Sequence, residues 1–278
     1  MYEFDEDRSL TARGDGVYQG TVSPRWNVGP VPNGGYVLGL AMAALERELE
    51  GLEPVTVTGH YLRPTAPGAI EAVVDTAKRG RTYSTASVVL RQGDRETFRG
   101  LATYGRLESL ESPRYVDGRP PDVDRDACIV WSGGDSLAPE ISRRFESRIE
   151  PAYVEALKGA RAQHAALRGW IRFADGRPVD VHCLGLIADA FPPPVFMVTD
   201  RGWVPTIELT VHVRGRPVSE WLCCAFRTRF VFDGLLEEDG EIWDESGRLV
   251  ALSRQLAGVP RSAVPRSAVP RRAVPRRG

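Results

Sequence analysis

The chain has 278 residues, of which 42% are hydrophobic and 26% charged, a composition typical of a globular protein with a substantial buried core. Its formal net charge of −1 combines an acidic body with a basic tail, because residues 259–278 carry six arginines and no acidic residue. The rest of the chain has a balance of −7, which argues against a nucleic-acid-binding protein.

Targeting and metal-binding signals are missing from the sequence. No run of about 18 apolar residues indicates a membrane-spanning helix, and the acidic residues 1–8 do not resemble a secretory signal. The cysteines form no Cys-x-x-Cys motif, and the histidines have no metal-ligand spacing. We therefore expect a cytoplasmic protein without disulfides, metal or cofactor. The cysteines are Cys128, Cys183, Cys223 and Cys224, and the histidines are His60, His164, His182 and His212.

The first part of the chain predicts one buried helix followed by strands. Residues 34–49 are apolar on nearly every side as far as Leu45, as expected of a buried helix, and Asn33 is a candidate N-cap. Alternating patterns then predict an antiparallel series of strands. These predicted strands cover residues 55–61, 69–78, 82–92 and 96–105.

A segment rich in Pro, Asp, Arg and Ser interrupts this order, and residues 138–157 within it suggest an amphipathic helix. The order of the first part then returns, with a predicted strand over 167–173 and a shorter apolar helix over 179–191. Further strands are predicted at 206–214, 220–232, 237–244 and 249–257.

The two parts are internal repeats. The segment from Val57 to Pro64, with His60, corresponds almost residue by residue to the segment from Leu209 to Pro217, with His212. Each part is one strand, a buried helix and an antiparallel meander, which indicates an α+β fold. We predict an N-terminal unit (1–110), a connector (111–160), a C-terminal unit (161–258) and a disordered tail of Val-Pro-Arg repeats (259–278).

A single helix wrapped by a long curved antiparallel sheet is the hotdog fold, and two in tandem form a double hotdog. The chain resembles the bacterial type II acyl-CoA thioesterases and the wider thioesterase-like superfamily. The resemblance is carried by Val-Pro-Asn-Gly-Gly-Tyr at 31–36, Tyr-Leu-Arg-Pro at 61–64, Trp-Ile-Arg at 170–172, Leu-Ile-Ala-Asp at 186–189, Pro-Thr-Ile-Glu at 205–208 and Gly-Arg-Leu-Val-Ala-Leu-Ser-Arg-Gln at 247–255.

Asp189 is the first candidate catalytic residue. It follows an apolar run, where burial disfavours the charged form and raises the pKa of a carboxyl group, as suits a general base. The resemblance implies that the aspartate at this place is catalytic. The alternative is a surface aspartate that ends the helix before Pro192.

Thr206 and Gln255 are the other candidates for binding a water molecule. The resemblance implies that, together with Asp189, they hold one water against a thioester carbonyl, so that no Ser or Cys nucleophile is needed; the sequence has no Gly-x-Ser-x-Gly motif. The alternatives are a threonine that only favours the strand and an exposed glutamine.

Gly34 and Gly35 open the predicted first helix, where free amides bind negative charge, and the resemblance implies an oxyanion hole there. Tyr36 is expected to line the same opening. The alternative is that the two glycines only permit close packing of the helix. Because the second helix lacks such a start, we expect at most one complete site in each chain.

The sequence therefore predicts an acyl-CoA thioesterase, with acyl-CoA as its small-molecule partner. A non-catalytic binder of acyl thioesters or lipophilic ligands is the alternative. A dehydratase would need a histidine paired with an acid, and neither His60 nor His212 has a clear acidic partner in the sequence, which favours ordinary strand histidines. Since sheet edges in such folds usually pair between subunits, we expect a homodimer or a larger homo-oligomer.

Overall fold

The structure, a computed structural model, describes residues 1–107, 115–131, 138–158, 160 and 162–259, so almost all of the predicted tail lies outside the described residues. The helices are α1 (Glu3–Asp7), α2 (Gly34–Glu48), α3 (Pro151–Leu157) and α4 (Leu184–Ile187). The strands are β1 (Thr11–Gly14), β2 (Val17–Val22), β3 (Asn27–Val28), β4 (Val31–Pro32), β5 (Glu53–Tyr61), β6 (Gly68–Lys78), β7 (Tyr83–Gln92), β8 (Arg95–Gly105), β9 (Ile129–Trp131), β10 (Phe145–Ile149), β11 (Ala165–Phe173), β12 (Thr206–Val213), β13 (Leu222–Thr228), β14 (Val231–Phe232), β15 (Leu235–Asp244) and β16 (Leu249–Gly258).

One long antiparallel sheet dominates the fold. Within the described residues it has fourteen strands in the order β1-β2-β6-β7-β8-β5-β12-β16-β15-β13-β11-β10-β9, with β14 paired to β15. The strands β2 and β5–β8 with α2 form the first repeat, and β11–β13, β15 and β16 with α4 form the second. The predicted fold class, an α+β tandem hotdog, is confirmed.

The two repeats meet where β5 pairs with β12, so the two similar sequence segments lie side by side. His60 lies opposite Glu208 and His212 lies opposite Thr56, and the two histidines, which are counterparts in the two repeats, are 152 positions apart. An approximate twofold axis therefore passes between Thr58 and Thr210, whose hydroxyl groups are hydrogen-bonded at 2.8 Å.

Helix α2 forms where the sequence predicts it. The Asn33 side chain accepts a hydrogen bond from the Tyr36 amide and caps the first turn, which otherwise has unpaired N–H groups. From Gly35 to Leu45 every residue is buried, since the helix is enclosed by β5–β8 on one side and α4 on the other. The all-round apolar pattern thus marks a helix without a solvent face.

The second helix is much shorter than predicted. The expectation of a helix over 179–191 is wrong, because α4 is a single turn. Before it, the Asp180 carboxylate accepts hydrogen bonds from the amides of His182 and Cys183, which stabilises a turn at that point. After it, prolines 192–194 offer no backbone N–H for a continuing helix.

The predicted amphipathic helix over 138–157 is also wrong. A 3₁₀ turn (Glu140–Arg144) leads into β10, and only α3 is helical. In β10 burial alternates, with Phe145, Ser147 and Ile149 facing the core, so the segment follows the period of a strand. The strands β9 and β10 thus extend the sheet from within the predicted connector, and the exact domain limits remain a prediction.

Candidate active site

A large cavity opens where the start of α2 meets the end of α4. Its volume is about 870 Å³, within the usual range for small-molecule sites. Most of its wall is apolar, and a few polar side chains enter it. Those treated below are Asn33, Tyr61, Asp189, Thr206, Glu238 and Gln255.

Asp189 lies just beyond the single turn of α4, and its carboxylate is held by the start of α2. The Oδ2 atom accepts hydrogen bonds from the Gly35 amide at 2.8 Å and from Asn33 Nδ2 at 3.0 Å. Asn33 Nδ2 also donates to the Asp189 carbonyl oxygen at 2.7 Å, so this side chain caps α2 and fastens α4 to it. The helix start therefore positions the carboxylate as well as the chain around it.

The environment of Asp189 raises its pKa above that of an ordinary surface aspartate. Burial raises the pKa of Asp189 to about 6, and the hydrogen bonds from Gly35, Asn33, Gly34 and Gln255 oppose this rise without cancelling it. A carboxyl group with this pKa is ionised at neutral pH and accepts a proton more readily than an ordinary aspartate. The alternative of a solvent-exposed helix end does not describe this residue.

Thr206 and Gln255 lie on the neighbouring strands β12 and β16, and the structure brings both to Asp189. Gln255 Nε2 donates a hydrogen bond to Thr206 Oγ1, and Gln255 also hydrogen-bonds the Asp189 carboxylate. Since Nε2 is the only donor of this side chain, Oε1 remains as an acceptor. Gln255 is only 7% exposed, so it is a buried polar residue and not an edge-strand glutamine.

Gly34 and Gly35, for which an oxyanion hole is expected from the resemblance, lie against the Asp189 carboxylate. The Gly35 amide donates to Asp189, so its single hydrogen is not available to a substrate oxyanion in this arrangement. A Cβ atom on Gly35 would lie 2.8 Å from the Leu186 carbonyl oxygen, and one on Gly34 would lie 2.8 Å from Asp189 Oδ2. The two glycines therefore permit the close approach of α2, α4 and the carboxylate.

Tyr36 does not line the opening, contrary to expectation. Its side chain is fully buried, stacks on Trp26, and donates from its hydroxyl to the Asp7 carbonyl oxygen at 2.8 Å. The side chain points toward the N-terminal segment and away from the cavity side of α2. It is a core residue that ties this segment to α2.

Tyr61 reaches the cavity instead. Its hydroxyl donates to the Gly34 carbonyl oxygen at 2.7 Å, and burial, with smaller contributions from the charges of Asp189 and Glu208, raises its pKa well above the ordinary value. It is therefore a neutral phenol that fixes the first residue of α2. The Tyr-Leu-Arg-Pro motif marks this position in the sequence, but nothing local in it indicates a contact with Gly34.

Glu238 was not singled out from the sequence, where Glu237, Glu238 and Asp239 look like an exposed charged run. In β15 the side chains alternate, and Glu238 faces inward opposite Gln255 on β16. It is 8% exposed and lines the cavity. Burial, followed by the charge of Asp189, raises the pKa of this carboxyl group well above its usual value.

The remaining sequence candidates lie elsewhere. His60 and His212 are exposed on the outer face of the sheet, as expected of ordinary strand histidines. Within the described ranges, no group of three or more His, Cys, Asp or Glu side chains is arranged to hold a metal ion. Across those same ranges, no helix is long and apolar enough to cross a membrane.

Comparison with known families agrees with the two-repeat architecture. The family model described as the acyl-CoA thioesterase N-terminal domain matches residues 22–105, and that of the acyl-CoA thioesterase C-terminal domain matches residues 110–259. Together these matches cover both repeats and most of the described chain.

Individual relatives point in the same direction. A candidate thioesterase II from Thermobifida fusca is 30% identical and superposes with a TM-score of 0.87, covering 94% of this chain and 98% of its own. An acyl-CoA thioesterase II from Mycobacterium marinum is 20% identical with a TM-score of 0.74 over 92% of this chain and 98% of its own, which shows the fold alone. An uncharacterized protein of Mycobacterium tuberculosis is 25% identical, covering 88% of this chain and 91% of its own.

Proposed function

This chain belongs to the acyl-CoA thioesterase family, and we propose from that premise that it hydrolyses acyl-CoA to a free acid and CoA by direct attack of water. One observation carries the proposal. A half-buried carboxylate with a raised pKa, Asp189, is held by neutral donors beside the Thr206–Gln255 pair and faces a cavity with a mostly apolar wall. That arrangement suits a water molecule and an acyl chain side by side.

The three polar groups can hold the attacking water with complementary bonds. Asp189 and Gln255 Oε1 accept the two hydrogens of the water, and the Thr206 hydroxyl, which already accepts from Gln255, donates its hydrogen to the water oxygen. The remaining lone pair of the water points to the substrate. No protein nucleophile is needed in this scheme.

In the first step the water oxygen bonds to the thioester carbonyl carbon, the carbonyl π electrons move to its oxygen, and Asp189 takes a proton from the water. In the second step the carbonyl forms again, the C–S bond breaks, and the thiolate takes the proton from Asp189. The products are a carboxylic acid and the thiol of CoA, and Asp189 returns to its ionised state. One water is consumed in each turnover.

The start of α2 supports this chemistry by stabilising the ionised form of Asp189. A carboxylate buried without any donor would remain protonated at neutral pH and could not accept a proton. The Gly35 and Asn33 hydrogen bonds bring its pKa back to about 6. We therefore assign the helix start to the base, in place of the oxyanion role expected from the sequence.

The experiment that tests the function measures thiol release with a colorimetric disulfide reagent over acyl-CoA substrates from C2 to C18. Wild type and Asp189→Asn are purified side by side, and Asp94→Asn, in the exposed turn between β7 and β8, serves as the matched control. We expect turnover in wild type and in the control, and its loss in Asp189→Asn, which keeps the size of the side chain but cannot accept the proton.

The non-catalytic binder remains the competing function. Equal residual rates in all three proteins would show a contaminating activity and would contradict the thioesterase proposal. Mass spectrometry of the purified protein would then identify any lipophilic molecule held in the cavity. The homo-oligomer and the cytoplasmic location stay predictions, and sedimentation of the purified chain tests the first of them.

A further inference from the structure

Glu238 is an acidic residue of the cavity that the proposed mechanism does not use. The residue is only 8% exposed and lines the cavity, yet among the described residues no side chain or amide hydrogen-bonds its carboxyl group and no cation pairs with it. A carboxyl group that faces a ligand cavity without a protein partner is available to a hydrogen-bonding group on the ligand.

The position of Glu238 relative to the reacting group is set by the sheet. It lies directly opposite Gln255, on the next strand, and neighbouring strands are about 4.8 Å apart. If Gln255 helps to hold the attacking water as proposed, the acyl carbons next to the thioester carbonyl would be the part of the substrate nearest to Glu238. A hydrogen-bonding group on those carbons would reach the carboxyl group.

The sheet itself does not require a carboxyl group at this place. Leu209 lies opposite Gln255 in the second repeat. The repeats are offset by 152 residues, so Leu209 corresponds to Val57 in the first repeat. Val57 lies opposite Ala102, which is therefore the counterpart of Gln255. Ala102 in turn pairs with Ala86, which is therefore the counterpart of Glu238. Both alanines are buried, so the same strand positions are occupied by an apolar pair in the first repeat, where they do not line the cavity.

The protonation state expected for Glu238 defines the chemistry of its partner. Burial and the charge of Asp189 raise the pKa of Glu238 well above the ordinary value and so favour its protonated form, which donates one hydrogen bond and accepts others. Hydroxyl and oxo oxygens match such a group, whereas a saturated alkyl chain leaves it without a partner.

We propose that Glu238 is a specificity-determining residue that binds a hydroxyl or oxo oxygen on the acyl chain close to the thioester. The preferred substrates of the proposed thioesterase are then 3-hydroxyacyl and 3-oxoacyl thioesters, in preference to saturated chains of equal length. This inference rests on the proposed function, and it adds the substrate class and the residue that selects it.

The test compares kcat/KM for 3-hydroxyacyl-CoA and saturated acyl-CoA of one chain length in wild type, Glu238→Leu and Glu238→Gln. Glu241→Gln, an exposed residue of the same strand, is the matched control. We expect wild type and control to favour the hydroxylated substrate about 10- to 100-fold, Glu238→Leu to lose most of this preference, and Glu238→Gln to keep part of it. An unchanged ratio in Glu238→Leu, or no preference in wild type, would overturn the inference.

Two further measurements separate the failure of this inference from failure of the proposed function. Thioether analogues of both substrates cannot be hydrolysed, and the ratio of their Kd values reports on recognition even in a protein without turnover. Tighter binding of the hydroxylated analogue that is lost in Glu238→Leu supports the inference independently of catalysis. An equal preference for a hydroxyl at the far end of the chain would overturn the position assigned to it.

Discussion

The helix pair α2 and α4 has a carboxylate at each of its two ends, and the two carboxylates differ in the groups that bind them. At the cavity end, the start of α2 meets the carboxylate of Asp189 beyond the end of α4. At the opposite end, His182 before the start of α4 meets the carboxylate of Glu46 near the end of α2, with Nδ1 and Oε1 2.5 Å apart. One carboxylate therefore lies at each end of the helix pair.

The partners of the two carboxylates make the difference. Glu46 forms an ion pair with Arg8, and its other carboxylate oxygen lies against His182. Asp189 is held by uncharged amide donors, and no cation pairs with it among the residues that the structure describes. The Glu46 carboxylate is neutralised by a guanidinium, whereas Asp189, held by amides in an apolar setting, keeps a raised pKa. The same arrangement thus gives a structural ion pair at one end and a candidate base at the other.

The largest effect that tests this comparison is on turnover. Asp189→Asn should lower kcat by about 10²- to 10⁴-fold, the usual contribution of a general base. Glu46→Gln removes the carboxylate of the other end and should leave kcat within about twofold, since that end does not contact the cavity. Acyl-CoA hydrolysis by both variants, measured under the same conditions, compares their kcat values directly. A similar loss in both would mean that the two ends do not divide the roles as proposed.

The same pair of variants should have opposite effects on stability. Glu46→Gln leaves Arg8 and His182 without their charged partner and should lower the free energy of unfolding by about 1–3 kcal/mol. Asp189→Asn removes a carboxyl group whose pKa rises from 3.8 to about 6 on folding, and should raise the free energy of unfolding by about 2–3 kcal/mol at pH 8.

The gain in stability of Asp189→Asn should depend on pH, because it comes from the raised pKa of Asp189. Well below pH 3.8 the carboxyl group is protonated in both the folded and unfolded chain, so the gain of Asp189→Asn should vanish there. It should grow between about pH 4 and 6, where only the unfolded chain releases the proton, and stay constant above. Urea unfolding at several pH values measures it, and a gain of equal size at pH 4 and 8 would mean that the raised pKa of Asp189 is not its cause.

The close approach of the helices at the cavity end predicts a smaller loss of stability when Gly35 is replaced. In Gly35→Ala the new methyl group would meet the Leu186 carbonyl oxygen at 2.8 Å and Asp189 Cβ at 2.9 Å. The strain should exceed the helix-propensity gain of about 1 kcal/mol and leave a net destabilisation of about 1–2 kcal/mol. Thermal unfolding compares it with Gly118→Ala, where the nearest atom is 3.7 Å away; equal stability of both variants would contradict it.

The smallest expected effect concerns the pH profile. In wild type, kcat/KM should rise as the pH increases through about 6, because Asp189 acts in its ionised form. Asn33→Ala removes a hydrogen bond that favours the ionised carboxylate, so the rise should move to higher pH by up to about one unit. A profile that stays in place would show that Asn33 only caps α2.

The sequence indicated most of the fold and part of the site. The patterns of β5–β8 and of β12, β13, β15 and β16 were predicted to within a few residues, because burial of one sheet face imposes a period of two. Helix α2 was predicted for an equally local reason. The length of α4 and the structure of 138–157 were wrong, since apolar character alone does not distinguish a helix from a turn or a strand enclosed by other elements.

At the site, the resemblance to a family led to Asp189, Thr206 and Gln255, and the structure brings them together, while their catalytic roles stay predictions. The sequence by itself determined the repeated order of elements, the buried character of α2 and its cap at Asn33, since these depend on neighbours within a few positions. Only the tertiary structure decided which carboxylate lacks a cation, which glycine touches it and that Glu238 faces the cavity. Asp189 and Gly35 are 154 positions apart, and a pKa or a cavity wall depends on packing between such distant segments.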